Sequence, residues 1–426
     1  MKNHSIKLFL FTICFLLMQK LFSQNSPLSG FGLGMLTPQG NIAQQSMGSV
    51  GVSTSNSFWV NTLNPALLVR NGSVIFDAGY NFKIQQLRSD KAQQSFTTGN
   101  FNYATLALPI TKKWTSAIGL QPYSYLEYLT ETSAKVENSD FFAYYTFKGE
   151  GGLNNFFWAN GFMPIKNLSL GVKMSYLFGN LTRESVTELI ASGQNSRIAF
   201  LQRDNINQIT WNVGTSYRYP LEKDRKFLNF GLTYDLSAQM KTKRFEAFEK
   251  RDFFGNNLIA PSFVDTLTTI KGKTFLPARL RVGVSYEKLN HYTIHAEMIS
   301  QNWSQFRRFD IPDTQLTNRL TFAIGGEWTP EFGSNKFLNR STYRIGFNHT
   351  PQILQIEGKT LAETNFSLGG SFAFSGGQGK LTYLHLGIIA GQRGNLSRNG
   401  LQERYIEARL GVSLSDVLWF YRPKID

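Results

Sequence analysis

The sequence predicts an all-β, transmembrane antiparallel β-barrel of about fourteen strands, with an N-terminal plug segment in the lumen. Three observations predict it. Long stretches alternate apolar and polar residues with period two, and aromatic residues mark the ends of those stretches. Beyond the N-terminus, no run approaches the ~20 apolar residues that a spanning helix needs. The 426 residues are 14% aromatic and only 17% charged, a composition that excludes long disorder.

Residues 1–23 read as a cleaved signal peptide. Lys2 and Lys7 form a basic start, Leu8 to Leu17 an apolar stretch, and Ser23 a small residue before the cut. The formal charge of +15 falls to +12 when the three lysines of this leader leave. The single cysteine, Cys14, leaves too, so the mature chain has no thiol for a disulfide or a metal. The protein is expected to be exported to the cell outer membrane of a Gram-negative bacterium.

The strand signal carries the rest. Val74, Phe76, Ala78, Tyr80, Phe82 and Ile84 alternate with Ile75, Asp77, Gly79, Asn81, Lys83 and Gln85. The same pattern recurs from Leu168 to Tyr176, from Ala278 to Glu287 and from Tyr405 to Leu414. Successive strand side chains point to opposite faces, so each run has one apolar and one polar face. A soluble sandwich alternates too, but its strands average about five or six residues, and these are longer. The polar faces carry glycine and charges of both signs, as a wet or plugged lumen would. Trp114, Trp158, Trp211, Tyr219, Trp328 and Trp419 read as interfacial residues.

Short connectors at Thr111-Lys112, Lys166-Asn167, Leu221 to Arg225, Leu289-Asn290 and Gly376 to Gln378 are expected at the periplasmic end, with the longer Pro330 to Arg340. Polar stretches near 88–97, 130–149, 186–201, 245–274, 307–316, 354–364 and 394–401 are expected as outer loops. Sorting turns this way divides residues 73–426 into fourteen strands, an even number with both termini periplasmic.

Residues 24–72 break the pattern. They hold Gly30, Gly32, Gly34, Gly40, Gly48 and Gly51, with much Ser and Asn. Eight strands already just fill a barrel with their own side chains, so fourteen leave a lumen that something must occupy. The segment is therefore expected to be a plug. Phe31, Leu33 and Met35 are its candidate ligand-facing apolar residues, since leaving them in water is costly. Asn64, Pro65 and Ala66 are the candidate hinge, because Pro65 fixes its own φ and restricts Asn64 before it.

FGLGMLTPQG, then Met47-Gly48, then Asn64-Pro65-Ala66-Leu67-Leu68 ahead of the first strand resemble the long-chain fatty-acid transporter (FadL/TodX, OmpP1) family, in a divergent branch. LALPITKKW, GLQPYSYLEY and GEGGLNNFFWANGF extend the resemblance along the barrel. It implies uptake of hydrophobic small molecules, fatty acids or similar, across a lipopolysaccharide layer that bars their diffusion. It further implies an apolar pocket above the plug and sideways exit through a break in the wall. The third strand offers Gly119 and Pro122 for that break, since proline lacks the N–H a ladder needs.

Other chemistry is not expected. His291, His295, His349 and His385 form no cluster with metal-ligand spacing, and no G-x-S-x-G occurs. No cofactor and no enzymatic activity are expected. A positive charge of this size suggests nucleic acid. However, Arg279, Arg281, Arg319, Arg344 and Arg409 fall on lumen faces, where Asp77, Asp235, Glu297, Glu327, Glu407 and the plug are the expected partners. The alternative is a non-transporting barrel subunit of an outer-membrane machine, for protein assembly (a BAM-type complex) or secretion. Its partners would be other subunits of that complex rather than a hydrophobic ligand, with outer-membrane lipid and lipopolysaccharide common to both readings.

The topology is testable. An epitope inserted at Asn256, in the 245–274 stretch, is expected to label on intact cells; a folded barrel that labels only after permeabilisation overturns the orientation.

Overall fold

The structure is a computed structural model that describes residues 26–417, apart from 91, 140, 192–193, 223–224, 255–256, 259–262, 357 and 376–379. The expected leader, Trp419 and the Asn256 insertion point lie outside the described residues.

Alternation dictates strands, and all fourteen expected strands are present. They are β1 (Val74–Ser89), β2 (Gln93–Thr111), β3 (Trp114–Tyr125, resuming as Tyr128–Lys135), β4 (Phe142–Ile165) and β5 (Leu168–Ala191). Then follow β6 (Gln194–Glu222), β7 (Lys226–Asp235, resuming as Ala238–Phe254) and β8 (Phe263–Leu276, resuming as Arg279–Lys288). The last six are β9 (Tyr292–Gln301), β10 (Arg319–Trp328), β11 (Thr342–Ile356), β12 (Lys359–Ser375), β13 (Lys380–Asn395) and β14 (Leu401–Asp416). Each pairs antiparallel with the next. The sheet closes where β14 pairs with β1, from Val74↔Asp416 to Ser89↔Leu401. Closure removes the free edge that an open sheet would expose to lipid.

The faces fall as the alternation requires. On β1, Phe76, Phe82 and Ile84 are exposed on the outer wall, while Asp77, Lys83 and Gln85 are buried inside. On β14, Ile406, Leu410 and Leu414 face out, and Tyr405, Glu407, Arg409 and Ser413 are buried. An apolar outer belt around a polar interior is the architecture of an outer-membrane barrel.

The outer loops are a correction. The stretch 245–274, expected as the largest outer loop with room for a hairpin, is a paired extension in which β7 and β8 stay together from Ala238↔Leu276 up to Lys250↔Phe263. Likewise β5 and β6 pair up to Ala191↔Gln194, and β3 pairs with β4 up to Lys135↔Phe142. These segments lack apolar-out alternation because they rise above the belt, with no lipid to face. Main-chain ladders, with ion pairs such as Arg197–Glu188 (2.6 Å), keep them extended regardless.

Residues 26–72 lie inside the barrel. Ile42, Val50, Val52, Trp59, Val60, Leu63 and Leu67 are all buried there. The segment contains short helical turns at Pro27–Gly30, Ile42–Gln45 and Pro65–Arg70, and the two-residue strand Met35–Leu36.

Leu410 pairs with Tyr80 on one side and Leu386 on the other, side chain outward. Leu410→Arg is expected to destabilise the inserted barrel by roughly 2–4 kcal/mol near the midplane and to lower outer-membrane yield. Normal yield, read by heat-modifiable migration, shows the face to be assigned wrongly.

Candidate functional site

The lower plug is seated against the wall by glycines. Backbone cannot approach a strand face closely where a side chain intervenes, and the lumen-facing positions opposite the plug are glycine. A Cβ on Gly161, Gly171 or Gly214 would overlap Asn64, Pro65 or Ala66. On Gly325 or Gly346 it would strike Met47 or Gly48, and on Gly231 the backbone of Val52. Asparagines satisfy the irregular backbone between. Asn64 Oδ1 accepts from Ala66 N, while its Nδ2 donates to Val52 O (2.7 Å) and Thr215 O (3.0 Å). Asn61 and Asn41 donate to Gly51 O (2.7 Å) and Val60 O (2.8 Å).

Wall side chains hold the plug's remaining polar groups. Glu297 accepts from Gly51 N and Val52 N (2.5 and 2.6 Å) and faces Arg281 at 3.6 Å. Arg281 in turn donates to Ser49 O (3.1 Å). Arg279 bridges Asp235 (2.7 Å) and Gln39 (2.9 Å). Arg409 binds Glu407 and donates to Gln45 (2.6 Å), and Arg344 pairs with Glu327 (3.0 Å). Four of the five lumenal arginines therefore meet the carboxylates expected of them. Asp77 differs: it accepts from Tyr103 Oη (2.8 Å), whose oxygen accepts from Ile42 N.

Above this polar floor the lumen turns apolar. Leu28, Leu33 and Met35 of the plug pack with Leu126, Leu153, Leu177, Leu181, Ile206 and Met240 from the wall. Residues 302–318, between β9 and β10, fold inward over them, burying Trp303, Phe306 and Leu316. Asp313 accepts from Gly32 N (2.9 Å), and Arg183 donates to Gly32 O (3.0 Å). The space between Leu28, Leu33, Met35, Trp303, Leu316 and Arg319 is about 10 Å³. A polar cavity of about 200 Å³ adjoins it, lined by Arg279, Arg281, Arg319, Arg393 and Arg409. Arg319 borders both spaces. Its guanidinium lies over Trp303 and its Nη2 reaches Ile353 O at 3.4 Å, while its Nε has no hydrogen-bond partner among the described residues.

The wall itself is interrupted on one side. The β2–β3 ladder runs from Thr111↔Trp114 only to Ala104↔Leu120. Above that, β2 continues to Gln93 paired with β1 alone among the described residues. A bulge at Pro122 opens the β3–β4 register, and the chain then dips inward, burying Leu126 in the apolar layer. Ser124 and Tyr125 pair there with Leu36 and Met35 of the plug. Thr37 Oγ1 donates to Pro122 O (2.7 Å).

The expected residues thus separate. Leu33 and Met35 are buried in the apolar layer and Phe31 packs against it. Pro122 stands at the ladder's end. Gly119 stays paired with both Thr105 and Phe157, and its missing side chain makes room for the Phe157 ring. Asn64, Pro65 and Ala66 are a buried anchor bonded to the wall. Trp303, Phe306 and Leu316 are residues that sequence reasoning missed, because Leu316 falls inside, and Trp303 and Phe306 just before, a stretch read as a polar outer loop. The glycine seats had a signal in Gly79, Gly171 and Gly283, glycines on the polar faces of long strands. Among the described residues no group of three or more His, Cys, Asp or Glu could hold a metal ion.

Comparison with solved structures finds a FadL homologue of Pseudomonas aeruginosa at 13% identity and TM-score 0.59, covering 90% of this chain and 99% of that one. The toluene transporter TbuX of Ralstonia pickettii is similar at 14% identity and TM-score 0.55, over 92% and 99% of the two chains. The monoaromatic hydrocarbon channel CymD follows at 12% and 0.54, over 90% and 98%. At these identities the likeness establishes a shared fold, as expected of a divergent branch. A comparison with curated proteins returns no match. The BamG family model matches residues 5–426, so the chain belongs to the BamG family.

The glycine seats are testable. Gly346→Val is expected to push Met47-Gly48 off the wall, at a cost of about 1–3 kcal/mol. The barrel should still fold, and cells should become sensitive to large antibiotics. Gly72→Val, at a position with nothing near it and no left-handed backbone, serves as control; equal permeability of the two variants overturns the seating argument.

Proposed function

We propose that this BamG-family barrel resides in the outer membrane and admits apolar small molecules, with residues 26–37 as the element that yields to them. The observation that carries the reading is the apolar layer. Above a polar floor, a lumen cross-section is lined with leucines and aromatics and filled by the chain's own Leu28, Leu33 and Met35. Burial of these side chains keeps the layer closed, and an apolar ligand offers the wall equivalent contacts in their place. Arg319, with a free Nε at the boundary between apolar and polar spaces, suits an acid head group such as a fatty acid's carboxylate. The unpaired upper edge of β2 beside Pro122 is the proposed sideways exit, held shut by the Met35–Leu36 pairing. The neighbours described as toluene and hydrocarbon channels support this reading through their shared barrel.

Two observations favour a second reading, in which the barrel is a non-transporting subunit of an outer-membrane protein assembly complex. One is the family match itself. The other is the seated plug, which leaves little free space and suits a static post in a larger assembly.

One purification and one deletion separate the readings. For transport, the barrel purified from outer membranes should carry apolar density as a monomer, and cells should show saturable uptake of labelled palmitate or toluene. Deleting residues 27–60 should leave the barrel folded, since its ladder closes without them, while uptake loses saturation and large antibiotics enter. Stoichiometric co-purification with other outer-membrane subunits, with uptake equal to that of a null strain, sinks the transport reading and supports the second.

A further inference from the structure

The outer wall carries a groove that neither reading uses. It lies on β12, β13, β14 and β1, and its volume is about 1120 Å³. Strand register sets its floor. Ile84 pairs with Ile406, Ile406 with Ala390, and Ala390 with Phe366, making one apolar row across four strands. The short side chain of Ala390 hollows the row between Ile406 and Phe366. One step toward the outer rim, Gln86, Arg404, Gln392 and Thr364 form a polar row. Gln392 Oε1 accepts from Arg404 Nε at 3.3 Å.

Above these rows the chain overhangs. The helical turn Leu396–Asn399 is capped by Asn395 and tied to β12 by Asn399 Nδ2 donating to Thr360 O (2.9 Å). This brings Arg398 and Lys359 to the groove beside Arg404, and no carboxylate lines it among the described residues. Apolar below, cationic above and open toward lipid, the groove has the polarity profile of one molecule of the outer leaflet.

We propose that this groove binds a single phosphorylated acyl lipid, its phosphate at Arg404, Arg398 and Lys359 and its chain along Ile84, Ile406 and Phe366. Cationic side chains near a membrane surface attract anionic head groups, and guanidinium groups match phosphate oxygens in geometry. A second barrel pressed against this wall would have to displace the lipid first.

The test uses the full-length protein, delipidated in detergent and incubated with diphosphoryl lipid A or its fully dephosphorylated form, with adducts counted by native mass spectrometry. One diphosphoryl lipid A per barrel is expected, retained about tenfold better than the dephosphorylated form. The double variant Arg398→Glu, Arg404→Glu should lose that preference, and Ala390→Trp, which fills the floor and keeps the cations, should lose the adduct. Heat-modifiable migration verifies that each barrel is folded. Equal retention of the two lipids by wild type overturns the proposal, as does retention unchanged in both variants. Displacement of the lipid by millimolar inorganic phosphate also overturns it, because the chain would then contribute nothing.

Discussion

Close approach of plug backbone to barrel wall is the constraint on which the rest of this structure depends. A fourteen-stranded lumen is too wide for wall side chains to meet, so the chain fills it with its own N-terminal segment. That segment is irregular, and each buried N–H and C=O must find a partner. Glycine at the facing wall positions lets the plug lie against the strands, and asparagine amides supply the bonds its backbone cannot make to itself. Gly171 against Ala66 and Gly346 against Gly48 are two such seats, on opposite parts of the wall.

Charge follows from the same geometry. Lys83, Arg393 and Arg409 share Glu363, Glu403 and Glu407. Buried charges of this kind are tolerable only when paired and hydrogen-bonded. Here the pairing also positions the plug, since Glu403 accepts from Ser26 and Arg409 donates to Gln45. The wall's ion pairs and the plug's seating are one network, and at its boundary with the apolar layer Arg319 makes no ion pair among the described residues.

The apolar layer and the interrupted ladder belong together. β3 leaves its pairing with β2 after Leu120 because Pro122 cannot continue it, and the freed chain carries Leu126 inward. The plug's Met35–Leu36 then pairs with the vacated β3 edge at Tyr125 and Ser124. The segment that fills the apolar space is therefore also the one that covers the wall's open edge. Moving it would expose both at once, and under the proposed transport reading that would couple entry of a ligand to its exit.

The sequence by itself determined the barrel. Period-two alternation follows from strand geometry, so Phe76, Asp77 and their neighbours were assigned to their faces before any contact was known. The same rule put the arginines and carboxylates on the lumen face, since residues two apart share a face, and the strand count came from sorting short turns from long polar stretches. Tertiary structure decided what alternation does not encode. Above the lipid belt the outer face need not be apolar, the hydropathy pattern fades, and the long paired extensions of β5 to β8 read as loops. The inward fold of Trp303, Phe306 and Leu316 depends on an apolar surface built by distant strands, which no local pattern announces. The same is true of the surroundings of Asn64: its place before Pro65 is legible in the sequence, but only register across three strands brings Gly161, Gly171 and Gly214 to face Asn64, Pro65 and Ala66.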